Sequence, residues 1–214
     1  MLRSGIALDS AAGAPAARRD LAVLLAASLL SAGLLSLPLL GGGGVPRSYD
    51  LPDHLGTTVQ VLRGFREGIA YPRWLPDFND GWGEPTLVFY PPVFYFLAAG
   101  LAALLGGDSV GGLFAAVLLF AAVGAAGVFV LVRRTFGVVT GALAALLFAG
   151  IPYRFFEIYA GGLYPAFAAA CLLPWALASL VEIAGGTAGR GATKAVLAWP
   201  ILFALVVLTN LPTG

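Results

Sequence analysis

Charge is what this sequence has least of. Only 11% of its 214 residues are Asp, Glu, Lys or Arg, against 59% hydrophobic, whereas a soluble domain carries about a quarter charged residues. So few ionisable groups cannot cover a water-exposed surface. That excludes a soluble globular protein and leaves an integral membrane protein. A net charge of +1 excludes nucleic-acid binding through a basic face. One cysteine, Cys171, excludes a disulfide framework, and with a single histidine, His54, there is no Cys/His zinc cluster. Cys171 is most simply a small packing residue.

What is present is a series of long apolar runs. Leu21–Leu40 holds twenty residues without a charge, directly after Arg18-Arg19, and reaches about 30 Å as a helix, the thickness of a bilayer core. It is long for a signal peptide, and further spans follow it. Pro38 and the run Gly41–Gly44 are expected to stop this helix. Further runs cover Leu87–Leu105, Val110–Val132, Phe136–Tyr153, Leu163–Val181 and Ala195–Leu208. Six crossings would put Arg133-Arg134 outside, against the positive-inside bias. If Leu87–Leu105 does not cross, Arg133-Arg134 and Arg190 with Lys194 both fall inside. The sequence therefore predicts a re-entrant or surface segment there, opened by Phe89-Tyr90-Pro91-Pro92, whose prolines prevent a regular helix before Val93.

The expected fold class is all-α, a polytopic transmembrane helical bundle with a partly helical first extracytoplasmic loop. Residues 1–20 form a cytoplasmic N-terminus, 21–40 the first transmembrane helix, 41–109 the loop, and 110–214 four further transmembrane helices. The ending at Gly214, straight after an apolar run, suggests the N-terminal part of a longer protein. No internal repeat supports an inverted-repeat transporter. Within the spans only Glu182, near a cytoplasmic helix end, is charged, so no ion relay is written through the bilayer.

Polar chemistry gathers in the first loop. Seven of the eleven acids lie there, Asp50, Asp53, Glu67, Asp77, Asp80, Glu84 and Asp108, together with His54. From Asp53 to Gly68, Leu55, Val59, Leu62 and Phe65 recur at the spacing of an amphipathic helix, with Pro52 suited to its first turn. Asp50 and Asp53 read either as N-caps of this helix or as functional acids. Trp74 and Trp82 suit either the membrane interface or stacking on a sugar.

The motifs Ser48-Tyr49-Asp50-Leu51-Pro52-Asp53-His54, Arg63-x-x-x-Glu67-Gly68-x-x-Tyr71-Pro72-Arg73-Trp74, Gly81-x-Gly83-x-Pro85 and Phe89-Tyr90-Pro91-Pro92 occur in that order after the first span. Over roughly Arg18 to Gly162 the chain resembles the bacterial "6-pyruvoyl-tetrahydropterin synthase-related" membrane-protein family. That family is itself similar to the GT-C superfamily of polyprenyl-phosphate-sugar glycosyltransferases. Its name refers to a soluble enzyme whose zinc site needs three histidines, and this chain has one. The resemblance implies a GT-C-like bundle in the inner membrane of a bacterium, with an essential acid just past the first span, where Asp50 stands. It implies a second acid on the next outer loop, in Ile151-Pro152-Tyr153-Arg154-Phe155-Phe156-Glu157 and the residues up to Gly162, where Glu157 is the available carboxylate.

The expected chemistry is sugar transfer from a polyprenyl-phosphate donor at the outer face. A carboxylate must take the acceptor's proton, while phosphate needs its developing charge stabilised. Asp50 is the candidate base, with His54, Asp53 and Glu157 assisting. Arg47, Arg73 and Arg154 are candidate phosphate partners, each also readable as a headgroup contact or anchor, and Arg154 as the ion-pair mate of Glu157. The sequence sets out no complete metal site; a divalent cation, if used, would fall to Asp50 and Glu157. The expected partners are the lipid bilayer and a polyprenyl-phosphate-linked sugar, with no nucleic acid; the oligomeric state is not legible. The alternative is a non-catalytic scaffold or lipid-carrier subunit of an envelope-polysaccharide assembly, or a transporter.

Overall fold

The computed structural model describes residues 13–40, 45–185 and 190–210. They form an all-α chain, and among them the one β-like feature is an isolated antiparallel bridge between Leu75 and Glu84. Helix α1 spans Gly13–Leu40. Pro38 lies inside it rather than ending it, because a proline removes one hydrogen bond to the carbonyl four residues back, which the last turn tolerates. The expected stop at Gly41–Gly44 lies outside the described residues. Helix α2 spans Leu51–Arg66, two residues earlier at each end than the apolar spacing suggests. A short α3, Thr86–Phe89, and α4, Val93–Leu104, flank the expected break at Tyr90-Pro91-Pro92.

Helix α5 spans Ser109–Phe136, and Asp108 caps it by accepting the Gly111 N–H at 2.9 Å. The sequence reading ended this span at Val132 and gave Phe136 to the next. Instead α5 runs through Arg133-Arg134, cations favoured at a helix C-terminus, and Gly137 (φ +86°) makes the turn. Helix α6 covers Val138–Gly150, and α7, Pro152–Phe155, leads into a π-helical turn over Phe156–Gly161, bent 46° from α6. Helix α8 spans Tyr164–Ala184 and α9 spans Arg190–Thr209.

Among the described residues α1, α5 and α8 are each long and apolar enough to cross a bilayer, and α6 with the turn after it qualifies as a bent pair. Helix α9 is apolar over the slightly shorter stretch Thr193–Thr209. Helix α4, at 12 residues, is about 18 Å long, well short of a bilayer core of about 30 Å.

Polar contacts sort the helix ends into two faces. Arg133 pairs with Asp20 at 2.9 Å and Arg134 with Glu182 at 3.1 Å. The end of α5 therefore lies with the start of α1 and the end of α8, on a basic face. At the opposite end the Tyr49 N–H bonds to the Ala160 carbonyl at 2.9 Å and the Asp50 N–H to that of Gly161 at 3.1 Å, which places the entry to α2 beside the turn before α8. This loop face carries α2 and α4. Helix α4 lies antiparallel along the first half of α5: a Cβ on Gly112 would sit 2.5 Å from the Ala102 backbone nitrogen, and Phe94 stacks on Phe120. Phe94 also stacks on Tyr164, 6.2 Å between centroids at 9°. These rings form the core beneath the loop face. Deeper in, buried Cys171 packs against Gly124, the small-residue role its sequence context suggests.

Candidate functional site

The first two turns of α2 form one wall of a cavity of about 470 Å³ on the loop face, through Asp50, Asp53, His54 and Thr57. The other walls are Phe78, Asn79 and Glu84 from the loop, Thr86 and Tyr90 at the two ends of α3, Tyr95 in the first turn of α4, and Leu163 and Pro165 before and within α8.

Gly162 sets the approach of these elements. It is left-handed (φ +74°), and a Cβ there would stand 3.0 Å from both the Leu51 nitrogen and the Ser48 Oγ. Only glycine permits this backbone conformation without strain while letting the segment entering α2 pass so close. Ser48 then hydrogen-bonds to the Tyr164 hydroxyl at 2.9 Å. Asp50 is thereby held at the N-cap position of α2, yet its carboxylate makes no capping hydrogen bond. The capping reading of Asp50 does not account for its side chain, which faces the cavity. Asp53, in the first turn, is solvent-exposed at the cavity's rim.

Four residues after Asp50, His54 is 7% exposed. Its Nδ1 lies 2.6 Å from the Tyr95 hydroxyl, and the Tyr164 ring meets it edge-on at 5.5 Å. Burial pushes its pKa down from 6.5 to about 4, against the opposing pull of Asp50 and then Asp53. His54 is therefore neutral at physiological pH. Burial and the Asp50 charge raise the pKa of Tyr90 on the facing wall.

The loop wall is built by hydrogen bonds back to α2. Gln60 accepts the Asp77 N–H at 2.8 Å, and Arg63 pairs with Glu67 at 2.9 Å and with Asp77 at 3.3 Å. Leu75 and Glu84 exchange backbone bonds of 2.9 and 3.0 Å. The intervening loop turns through positive φ at Asn79, Asp80, Gly81 and Gly83. Glu84 is thus brought to the cavity, where Asn79 Nδ2 donates to it at 3.3 Å and the Thr86 hydroxyl donates from its own turn.

The structure brings together Asp50, Asp53 and His54 from the sequence-derived candidates, and leaves the others apart. Glu157 is 4% exposed and held in an ion pair with Arg154 at 2.8 Å. The Arg154 guanidinium also lies 4.5 Å from the centre of the Phe148 ring. Arg154 and Glu157 thus pair with each other, and neither lines the cavity that Asp50 faces. Among the described residues no group of three or more His, Cys, Asp or Glu side chains is arranged to hold a metal. Arg47 is exposed, and Arg73 lies over the Tyr71 ring at 5.5 Å. Trp74 covers Gly83, where a Cβ would fall 2.5 Å from its Nε1, and Trp82 is 85% exposed; neither lines the cavity.

Sequence reasoning missed Glu84, Tyr90 and Tyr95. The Pro91-Pro92 break flagged the segment carrying the two tyrosines as special, but not that it folds back onto α2. Chemically the cavity offers carboxylates that accept protons and a neutral imidazole among hydroxyl groups. Every charged group lining it is acidic.

Compared with known proteins, residues 87–213 match the family model described as "6-pyruvoyl-tetrahydropterin synthase related domain; membrane protein". The match takes in Tyr90, Tyr95, Glu157 and Tyr164, while Asp50, Asp53, His54 and Glu84 precede it. No curated protein and no solved structure matches the chain.

Proposed function

The chain belongs to the 6-pyruvoyl-tetrahydropterin synthase related family of membrane proteins, and from that premise we propose that it is a GT-C-like glycosyltransferase. It transfers a sugar from a polyprenyl-phosphate donor at the outer face of a bacterial inner membrane. In this reading α1, α5, α6 with its bent continuation, α8 and α9 cross the bilayer, α4 does not, and the basic face lies in the cytoplasm.

The observation that carries the proposal is the Asp50 carboxylate, free of any capping bond, lining a cavity that also presents Asp53, His54 and Glu84. A second hollow of about 350 Å³, lined by Pro85 and Phe89, shares Glu84, Thr86 and Tyr90 with that cavity. A lipid-linked sugar is amphiphilic in the same sense: its sugar hydroxyls suit the cavity walled by carboxylates and hydroxyls, and its first isoprene units the hollow beside Phe89.

Asp50 takes the proton of the acceptor hydroxyl as that oxygen bonds to the anomeric carbon. The bond from that carbon to the phosphate oxygen breaks, and polyprenyl phosphate leaves with the electron pair. No general acid is needed, because phosphate is a stable leaving group. Arg47 and Arg73, exposed guanidiniums on the loop face, are the proposed phosphate partners. Arg154 is engaged by Glu157 and is assigned a structural role. The test is Asp50→Asn in the full-length protein, assayed for transfer of radiolabelled sugar from membrane lipid: transfer is lost if Asp50 is the base and unchanged if it is not.

One observation favours a second reading. With no arginine or lysine among the cavity's lining residues, a non-catalytic scaffold or lipid-carrier subunit would leave the carboxylates without a reaction to serve. It predicts that Asp50 and His54 can both be replaced without loss of the assembly's product.

A further inference from the structure

His54 and Tyr95 form a buried pair whose hydrogen-bond accounting selects a tautomer. Tyr95 is 2% exposed and His54 7%. Among the described residues the Tyr95 hydroxyl has a single hydrogen-bond partner, the Nδ1 of His54 at 2.6 Å. A phenol has one proton to donate, and a neutral imidazole has one donor and one acceptor nitrogen. If Nδ1 carried the proton and donated to the tyrosine oxygen, the phenolic proton of a group only 2% exposed would have no acceptor among the described residues, the costly arrangement. If the phenol donates to Nδ1, the phenol is satisfied and the ring proton stands on Nε2, which has no partner among the described residues. The ring lines the cavity, whose other charged liners Asp50, Asp53 and Glu84 only accept.

We infer that Tyr95 is a positioning residue that fixes neutral His54 in the Nε2–H tautomer, making it a hydrogen-bond donor to an oxygen of the cavity's ligand. The recognised chemistry is an oxygen acceptor, a sugar hydroxyl or a glycosidic or phosphate oxygen, in a cavity that otherwise presents carboxylates. The assignment of tautomer rests on the buried pair alone; its use in transfer rests on the glycosyltransferase reading above. His54 cannot serve as the base in this arrangement, because its acceptor nitrogen is occupied by Tyr95. That leaves proton removal to Asp50.

His54 is the one histidine of these 214 residues, and histidine-selective isotope labelling identifies its ring as the signal lost in His54→Gln. The full-length protein, labelled with ¹⁵N-histidine and reconstituted in lipid bilayers, is measured by nitrogen NMR between pH 5 and 8. The titratable groups that share the cavity with the ring or pack on it are Asp50, Asp53, Glu84, Tyr90, Tyr95 and Tyr164. The expected spectrum is a single neutral tautomer, protonated at Nε2, unchanged across the range. In Tyr95→Phe the Nδ1 partner is gone and the spectrum becomes a mixture of tautomers. A wild-type proton on Nδ1, or a tautomer that Tyr95→Phe leaves unchanged, overturns the inference. Should that variant not fold, the wild-type spectrum decides alone. Loss of the transfer reading through Asp50→Asn would leave this spectrum as expected, so the two failures are separable.

Discussion

The backbone N–H of Asp50 bonds to the carbonyl of Gly161, 3.1 Å away, across 111 residues of sequence. That bond fixes the acid at the head of α2 against the turn that opens α8, and the two walls of the cavity meet there. Gly162 is what lets them approach. An alanine at 162 would adopt a left-handed backbone costing about 1–2 kcal/mol and would also crowd the Leu51 nitrogen and Ser48 Oγ, 3.0 Å from its Cβ. Gly162→Ala is therefore expected to lower stability by at least about 1 kcal/mol, read by thermal unfolding in detergent. An unchanged midpoint would mean the segment entering α2 is not held at this turn.

Protonation of His54 links stability to pH. Its folded pKa, about 4, lies below the ordinary 6.5, so between those values the unfolded chain binds more protons and stability rises with pH. The contribution is fully present above pH 6.5 and is lost as pH falls towards 4. A depression of this size amounts to about 3 kcal/mol. His54→Gln should flatten the pH dependence between 5 and 6.5, above the ordinary carboxylate range; denaturant titrations at several pH values measure it. An identical slope in the variant would place the titration elsewhere.

Arg154 and Glu157 are a buried ion pair, so removing one partner strands a charge. Arg154→Met or Glu157→Leu alone is expected to destabilise by about 3–5 kcal/mol, and the double variant to recover most of that loss. If the double variant is stable and still transfers sugar, Glu157 is structural. A stable double variant without activity would return Glu157 to the chemistry.

The proposed topology places Ser109 and Thr135, near opposite ends of α5, on opposite sides of the membrane. Cysteines introduced singly at these positions should label with an impermeant thiol reagent from opposite sides, since the native Cys171 is buried. Labelling of both from one side contradicts the five-span arrangement.

The helical bundle was legible because uncharged runs of twenty residues have one physical outcome in this composition, and the break before Val93 because two prolines enforce it. Asp50, Asp53 and His54 were legible because they share the first turns of one amphipathic helix. Glu84, Tyr90 and Tyr95 were not, because their arrival depends on the fold: a loop closed by the Leu75–Glu84 bridge, and a short helix laid back along α5 where Gly112 admits it. Arg154 and Glu157 show the converse. Their spacing of three suggested either a pair or a phosphate and proton site; the structure forms the pair, with a burial that sequence spacing does not encode. The helix ends at Pro38 and Phe136 differed from expectation for local reasons, one tolerated proline and two favourably placed arginines.

Asp50→Asn in the full-length protein tests the central claim most directly, with Asp50→Glu as a control for charge without position. Transfer of radiolabelled sugar from a polyprenyl-phosphate donor in membranes should fall by about 100-fold or more in the asparagine variant, as expected for loss of a general base, while folding is retained. Transfer at the wild-type rate in Asp50→Asn would contradict the account.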